Sequence, residues 1–253
     1  MALILLLTLL LSIPSYAVTQ WCDHVNNVGC FLMEDSGNET DRGGNTSNTL
    51  TETSGTIPQS VDEKFGTYSR DFEAGETEYL AHADSLETDI SGADATLSIM
   101  SWAKLETGGS SDQFIMSKFG SSNIQYGISI NGNEVAQCYF SAASDNGGSY
   151  ERVLTDQGAL DEGTWYHLTC VYDDTNKIIY RNGVATSSSK TDGIFDGNQE
   201  FKFGSRDGAR YWDGLIDDGA IFDTALDSTD INDIMDNGLV QAAASTRRIM
   251  VIQ

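Results

Sequence analysis

Basic residues are scarce in this sequence. It contains 14 Lys and Arg against 38 Asp and Glu, which gives a formal net charge of −24 at pH 7. Such a surface repels phosphate backbones and anionic lipid headgroups, so the composition argues against nucleic acid and membranes as partners. The acidity itself has two interpretations, a solvated and salt-adapted surface or an attraction for divalent cations.

Proline is also rare, and no helical repeat runs through the chain. Only two Pro occur in 253 residues, beside 25 Gly. Within residues 165–183 the side chains alternate between two faces in steps of two, the period of a pleated strand, with Leu168 and Cys170 on one face. Asn182 and Gly183 supply the tight turn of a hairpin. The chain is long enough for one large β-domain, and two domains are not indicated.

The sequence has a single long hydrophobic run, at its beginning. The first eleven residues are almost all Leu, Ile and Ala, Pro14 follows, and Ala17 closes a short stretch of the kind that precedes a cleavage site. This order predicts a signal peptide over residues 1–17, although the usual basic start is missing. An uncleaved anchor would need ~20 apolar residues, and this run is shorter. We therefore expect a secreted, extracellular protein with one domain over residues 18–240.

Beyond that domain, residues 241–253 form a short tail. The tail is either a docking strand or a frayed chain end, since chain termini are commonly disordered. No second segment of the sequence is apolar enough to cross a membrane.

The four cysteines suit an oxidising compartment. Their even number predicts two disulfides, Cys22 with Cys30 and Cys138 with Cys170, the second joining neighbouring antiparallel strands. No Cys-x-x-Cys spacing occurs and the three His are scattered, which argues against zinc and against a redox dithiol. The alternative for Cys138 and Cys170 is a pair of buried, unlinked thiols.

Short apolar stretches separated by turn residues predict many strands. One flat sheet of this size would leave an apolar face in water, so the pattern favours a two-sheet antiparallel sandwich of the jelly-roll type. One short helix is predicted near the end, with Ser228 as its N-cap and Gly238 just past its last turn. The predicted strands cover residues 29–33, 68–72, 78–81, 95–105, 113–118, 125–130, 134–141, 149–154, 165–172, 177–181, 184–188, 199–203 and 211–222.

Several short motifs, taken in order, resemble the laminin G-like domain, a concanavalin A-like jelly roll, over roughly residues 28–240. The closing strand departs from the usual pattern at Gly219 and Ala220, and the Cys138 and Cys170 pair is not a general feature of that family. The motifs are Phe72-Glu-Ala-Gly75, Tyr79-Leu80, Leu97-Ser-Ile-Met-Ser-Trp-Ala-Lys104, Ile115-Met-Ser-Lys118, Trp165-Tyr-His-Leu168, Tyr172-Asp173, Tyr180-Arg-Asn-Gly183, Gly214-Leu-Ile-Asp-Asp218, Ala225-Leu226 and Ile231.

The same jelly roll also carries glycoside hydrolases, whose catalytic carboxylates have a recognisable arrangement. Such enzymes need two acids facing each other across a cleft, and glucanases of this fold place them on a Glu-x-Asp-x-Glu strand. No such strand occurs, and the adjacent Asp217 and Asp218 would point to opposite faces. Gly-x-Ser-x-Gly and metal-hydrolase His motifs are also missing. The sequence therefore predicts a protein that is not an enzyme.

The resemblance implies a secreted recognition module that binds carbohydrate or a protein surface. Sugar rings stack on aromatic side chains, so exposed aromatic residues on loops are the candidate ligand-binding residues. Those candidates are Tyr126, Tyr150, Tyr211 and Trp212, each with the alternative of packing in the core. A structural or adhesive surface subunit is the competing function, followed by a glycoside hydrolase-like enzyme.

A structural calcium ion is also expected. An aspartate stands among apolar neighbours in the closing strand, and a buried carboxylate needs a partner in a chain with so few cations. Calcium suits an all-oxygen site. The resemblance implies that Asp217 is a ligand together with backbone carbonyls near the N-terminus, with Asp41 and Gly75 as further candidates. The alternative is that Asp217 and Asp218 accept backbone N–H bonds.

Overall fold

The computed structural model describes residues 21–43, 48–85, 87–120, 123–142 and 149–240. Fifteen strands and one α-helix form a mostly β structure with two short 3-10 turns, at Trp21–Asp23 and Ala74–Glu76. Within these ranges no helix has the length and apolarity needed to cross a bilayer. The predicted signal peptide and tail lie outside the described residues.

The strands and the helix follow the predicted order closely. In chain order they are β1 (Asn27–Phe31), β2 (Thr51–Thr53), β3 (Gln59–Ser60), β4 (Ser69–Phe72), β5 (Tyr79–His82), β6 (Leu97–Leu105), β7 (Gln113–Phe119), β8 (Ile124–Ile130), β9 (Val135–Ser141), β10 (Tyr150–Ala159), β11 (Trp165–Tyr172), β12 (Asn176–Arg181), β13 (Val184–Ser189), β14 (Phe201–Phe203), β15 (Gly214–Phe222) and α1 (Ser228–Asn237).

Two antiparallel sheets pack face to face. Sheet A has the strand order β13-β12-β11-β6-β15-β4-β3, with β1 also paired to β15, and sheet B has the order β10-β9-β8-β7-β14-β5-β2. Their inner faces enclose a continuous apolar core in which nearly every member is fully buried. This arrangement confirms the predicted two-sheet sandwich.

The alternation read from the sequence holds in the two central strands of sheet A. Leu168 and Cys170 of β11 face the core between the sheets, whereas Val171 faces outward. The turn between β12 and β13 is the predicted hairpin, because Asn182 and Gly183 both have positive φ angles of 49° and 77°.

Both predicted disulfides are present, but one was placed wrongly. Cys22 and Cys30 are joined with 5.4 Å between their Cα atoms, and Cys138 and Cys170 with 5.6 Å. Cys138 lies on β9 of sheet B and Cys170 on β11 of sheet A, so this bridge crosses the core from sheet to sheet and does not join neighbouring strands. Since both side chains point inward, only the opposite sheet brings the two sulfurs together.

The closing strand β15 contains a bulge that breaks its alternation. Asp217 pairs with Trp102, but Ala220 pairs with Met100, and Asp218 between them has a positive φ of 41°. Ile216 and Ile221 therefore both face the core, although their numbers differ in parity. The simple alternation from which opposite faces were expected for Asp217 and Asp218 is therefore interrupted within β15.

The outer face of sheet A carries a second apolar cluster beneath α1 and the N-terminal turn. Met100, Val171 and Phe222 of the sheet are buried there against Ile231 and Ile234 of the helix. The predicted N-cap was wrong by one residue. Asp227 caps the helix, because its carboxylate accepts hydrogen bonds from the backbone N–H groups of Thr229 and Asp230, at 2.7 and 3.0 Å.

Candidate functional site

An aromatic groove of about 450 Å³ lies on the outer face of sheet A, beside the cluster under α1. One wall is the β3–β4 loop (residues 61–68), and the other is the last turn of α1. Its volume falls in the range of small-ligand sites, and its lining mixes rings with polar groups. The lining residues are Lys64, Phe65, Trp102, Trp165, Asn182, Met235 and Asp236.

The two tryptophans reach the groove because of strand periodicity and pairing. Trp102 of β6 points outward, as its alternation with the inward Ala103 requires. His167 of β11 pairs with Trp102, and Trp165, two residues earlier, points to the same side. A period of two places Trp102 opposite Ala103, but the sequence does not show that β6 pairs with β11, so sequence reasoning missed the groove.

A carboxylate fixes the ring of the partly buried Trp165. Its indole Nε1 donates a hydrogen bond to Oδ1 of Asp62 at 2.9 Å, and Lys104 forms an ion pair with Oδ2 of the same side chain. The contact with Lys104, followed by that with Trp165, holds the pKa of Asp62 below its usual range. The acid thus remains ionised and keeps accepting the indole N–H.

Two buried polar atoms at the Trp102 ring and its neighbour His167 have no hydrogen-bond partner among the described residues. Nε1 of Trp102 and Nε2 of His167 are both buried and unpaired, and the two ring centroids lie 5.2 Å apart. Burial, with a smaller contribution from Lys64, lowers the pKa of His167 to about 3, so the imidazole is neutral. Unpaired buried polar atoms are uncommon and often mark a functional position.

The β3–β4 loop contacts the groove and Asp217 at the same time. Lys64 places its Nζ 4.1 Å from the centre of the Trp102 ring, and Phe65 meets that ring edge-on at 6.3 Å. The backbone N–H groups of Lys64 and Phe65 both donate to Oδ2 of Asp217, at 2.8 and 3.1 Å. One buried carboxylate therefore holds the backbone of the wall.

Backbone N–H groups already bond both oxygens of Asp217, the residue at which a calcium ion was expected. Its Oδ1 accepts a further bond from the N–H of Asp218, while Asp218 accepts one from the N–H of Leu239. Burial, followed by the charge of Asp218, raises the pKa of Asp217 to about 8. Because N–H groups direct positive charge at both oxygens of Asp217, this carboxylate fits a cation poorly. That Asp217 binds calcium stays a prediction.

The other two predicted calcium ligands lie elsewhere. Asp41 accepts hydrogen bonds from the backbone N–H of Cys30, at 2.9 Å, and of Gly43, at 2.8 Å. Gly75 belongs to the 3-10 turn after β4. Asp41 and Gly75 therefore lie in different local structures, and none of these contacts joins Asp217 to Asp41.

Three other acids do come together. Carboxyl oxygens of Asp71, Glu73 and Glu106 lie within 4.8 Å of one another, at the end of sheet A where Gly214 pairs with both β4 and β6. Burial, and then the charges of neighbouring acids, raises the pKa of all three. We refer to them as the acidic trio. Sequence reasoning missed it because strand pairing alone brings Glu106 to the others.

The four predicted ligand-binding aromatic residues are not gathered in one place. Tyr126 and Trp212 are fully buried in the core, so their prediction as ligand contacts was wrong. Tyr150 is 41% exposed on sheet B, where its ring packs 4.9 Å from that of Tyr139. Tyr211 is partly buried, with its hydroxyl bonded to a backbone carbonyl. None of the four lines the groove.

Solved structures share this fold at low sequence identity. Domain 4 of AbnA, an extracellular GH43 arabinanase from Geobacillus stearothermophilus, in complex with arabinotriose, is similar with a TM-score of 0.63 and 20% identity over 85% of this chain and 98% of that domain. The binding domain of Paraclostridial Mosquitocidal Protein 1 gives 0.65 and 15% identity, and that of botulinum neurotoxin serotype G gives 0.64 and 16%.

The two toxin domains are longer than this chain. The matches cover 83% of this chain but only 52% and 50% of those domains, so the chain spans about half their length. Among curated proteins, no sequence matches this chain. In contrast, the sequence profile described as the concanavalin A-like lectin/glucanases superfamily, of laminin G type, matches residues 74–232. The chain therefore belongs to the laminin G-like family of the concanavalin A-like lectin/glucanase superfamily.

Proposed function

We propose that the protein is a secreted, non-catalytic module that binds a saccharide in the aromatic groove. The observation that carries this proposal is the pair Trp102 and Trp165, which face one groove of suitable volume with a polar rim. The apolar face of a sugar ring packs against an indole, while amide and carboxylate groups such as those of Asn182 and Asp236 bond its hydroxyls.

The comparisons support a binding role without identifying a ligand. The arabinanase domain that this chain covers almost completely was solved with an arabinose oligosaccharide, and the toxin matches are binding domains. At 20% identity or less the likeness concerns the fold, so the choice of arabinan or of any other glycan belongs to the experiment.

The alternative to a non-catalytic module is glycoside hydrolysis at the acidic trio. Three carboxyls with raised pKa values at the end of a sheet are the arrangement in which glycoside hydrolysis would be sought. They form one cluster, however, and a hydrolase needs its two acids on opposite sides of the scissile bond. We expect no turnover of arabinan, laminarin or agar. Hydrolysis that disappears in Glu106→Gln would reverse this part.

Export accords with the disulfides. Two bridges within residues 21–240 suit an oxidising compartment. Intact-mass analysis of the exported protein should find a chain that starts at Val18 and has no free thiols. A chain that keeps its first 17 residues would contradict the predicted cleavage.

Calcium remains part of the proposal, with the acidic trio as the place best suited to hold it. All-carboxylate oxygen ligands match calcium, and the three groups lie close enough to share one ion. A bound cation would also offset the mutual repulsion that contributes to their raised pKa values.

A glycan array, probed with and without calcium, tests the proposed function. Saturable binding to a saccharide class, lost in Trp165→Ala but kept in Tyr150→Ala, is the expected result. The second variant is the matched control, because Tyr150 is an exposed aromatic residue on the other sheet. Uniform silence on the array would favour the competing function, a structural or adhesive subunit that binds a protein surface.

A further inference from the structure

The wall of the aromatic groove is a loop without regular secondary structure, and its position needs an explanation. Residues 61–68 connect the two short strands β3 and β4, and no strand or helix lies within them. Three of these residues nevertheless contact the groove tryptophans, since Asp62 bonds Trp165 while Lys64 and Phe65 lie against Trp102. Something must hold this loop in register with sheet A.

We propose that Asp217 is the positioning residue of the groove, holding the β3–β4 loop against Trp102 through the backbone N–H groups of Lys64 and Phe65. The inference deepens the proposed function and rests on it for its consequence in binding. Asp217 is the strand partner of Trp102, so the carboxylate and the indole start from neighbouring positions on the same face. Its Oδ2 accepts from Lys64 at 2.8 Å and from Phe65 at 3.1 Å.

The bulge in β15 makes this arrangement possible. On one edge β15 pairs with β4 up to Ile216 and with β1 from Gly219 onward. Asp217 and Asp218 lie between these two paired segments of β15. The gap gives the two side chains room to reach loop backbones, Asp217 toward residues 64 and 65 and Asp218 toward Leu239.

Burial and hydrogen bonding explain why Asp217 can hold the loop. Asp217 is 0% exposed, so its carboxylate loses its hydration, and three N–H bonds replace the water. In Asp217→Asn an NH2 group replaces one of the two accepting oxygens and must face either the Asp218 N–H or the two loop N–H groups, a mismatch that the loop escapes by moving toward solvent.

This role differs from the one that the family resemblance implies for the same residue. A calcium ion at Asp217 would face the N–H dipoles that already occupy Oδ2. In this chain the loop N–H groups therefore occupy the position that a cation would take beside Asp217. We expect the β3–β4 loop to be held equally well in calcium and in EDTA.

Hydrogen exchange of the ligand-free protein tests the anchor without any glycan. In wild type, the amides of Lys64 and Phe65 should be protected as well as those of the sheet beside them, with or without calcium. Asp217→Asn should speed their exchange at least tenfold. Asp218→Asn is the matched control, because that neighbouring buried acid accepts from the N–H of Leu239 and not from the amides of Lys64 and Phe65, and it should leave both amides unchanged.

Two outcomes of the exchange experiment overturn the inference. One is unprotected Lys64 and Phe65 amides in the wild type, a measurement that remains decisive if Asp217→Asn fails to fold. The other is a folded Asp217→Asn whose two amides exchange as slowly as in wild type.

Affinity for the saccharide found on the array then separates this inference from the proposed function. A fall of at least fivefold in Asp217→Asn, with Asp218→Asn unchanged, supports positioning. If the amides respond but affinity does not, Asp217 holds the loop without positioning the site, and the inference fails while the proposed function stands. If no saccharide binds, the proposed function and its positioning consequence fail together, and the exchange data still establish or reject the anchor.

Discussion

The indole of Trp165 donates its Nε1–H to Oδ1 of Asp62 at 2.9 Å, which joins strand β11 to the loop that forms the wall of the groove. The same carboxylate also pairs with Lys104 of β6, so three separate parts of the chain meet at one acid. Trp165 is thereby presented in one orientation before any ligand arrives. A preorganised ring loses less conformational freedom when a sugar stacks on it.

The first prediction concerns this ring. Trp165→Ala should weaken saccharide binding at least tenfold, about 1.4 kcal/mol, because it removes the stacking surface. Trp165→Phe keeps a ring but loses the bond to Asp62, so it should lie between wild type and Ala. Isothermal titration with the array-identified saccharide measures all three. Equal affinity in wild type and Trp165→Ala would remove Trp165 from the site.

The second prediction concerns pH and the neutral His167. Its folded pKa of about 3 lies below the usual 6.5, so its contribution to stability is complete above pH 6.5 and is lost as the pH falls toward 3. Between pH 7.5 and pH 4.5 this one group should cost wild type about 3 kcal/mol. His167→Phe keeps a ring beside Trp102 but cannot titrate.

Urea unfolding of both proteins at the two pH values isolates that contribution. Acids with raised pKa values act in the opposite direction, but they are common to both proteins and cancel in the difference. The difference between wild type and His167→Phe should shift in favour of the variant on acidification. A difference that is the same at both pH values would mean that His167 is not held neutral.

The third prediction ranks the disulfides. Cys138 and Cys170 close a loop of 32 residues and Cys22 and Cys30 one of 8, so loop-closure entropy assigns about 3.7 and about 2.5 kcal/mol respectively. Double Cys→Ala variants at each bridge, compared by denaturant unfolding, should lose stability in that order. All four side chains are buried, which keeps the comparison even. The reverse order would show that native-state packing outweighs loop closure.

The fourth prediction concerns calcium. If an ion binds only the folded protein, thermal stability must rise with calcium, by ~2.7 kcal/mol at a hundredfold excess over the dissociation constant. The midpoint should therefore be higher in millimolar calcium than in EDTA, and Glu106→Gln should abolish the difference. Asp217→Asn should retain it. An identical wild-type midpoint in calcium and EDTA would end the calcium proposal, and loss of the difference in Asp217→Asn alone would restore Asp217 as the ligand.

What the sequence predicted correctly is local. The hairpin at Asn182 and Gly183 depends on two residues that accept positive φ, and the faces of β6 and β11 depend on a period of two. Such features are written within a few neighbouring residues. The order of strands and the fold class followed from them.

What the sequence missed depends on contacts between distant segments. The β15 bulge lies where the strand paired with one edge of β15 changes from β4 to β1, and no residue within β15 predicts it. The groove needs β6 to pair with β11 so that Trp102 and Trp165 share one face. Tyr126 and Trp212 fall within predicted strands, but the sequence alone does not show that packing between the two sheets buries their rings in the core.

The most direct test of saccharide binding in the aromatic groove follows the indole Nε1–H signals of Trp21, Trp102, Trp165 and Trp212 by two-dimensional NMR. Trp21 and Trp212 are not among the residues that line the groove, and they serve as internal controls. On titration with the saccharide selected by the array, saturable shifts of the Trp102 and Trp165 signals are expected, with the other two unchanged. Binding that leaves the Trp102 and Trp165 signals unmoved would contradict it.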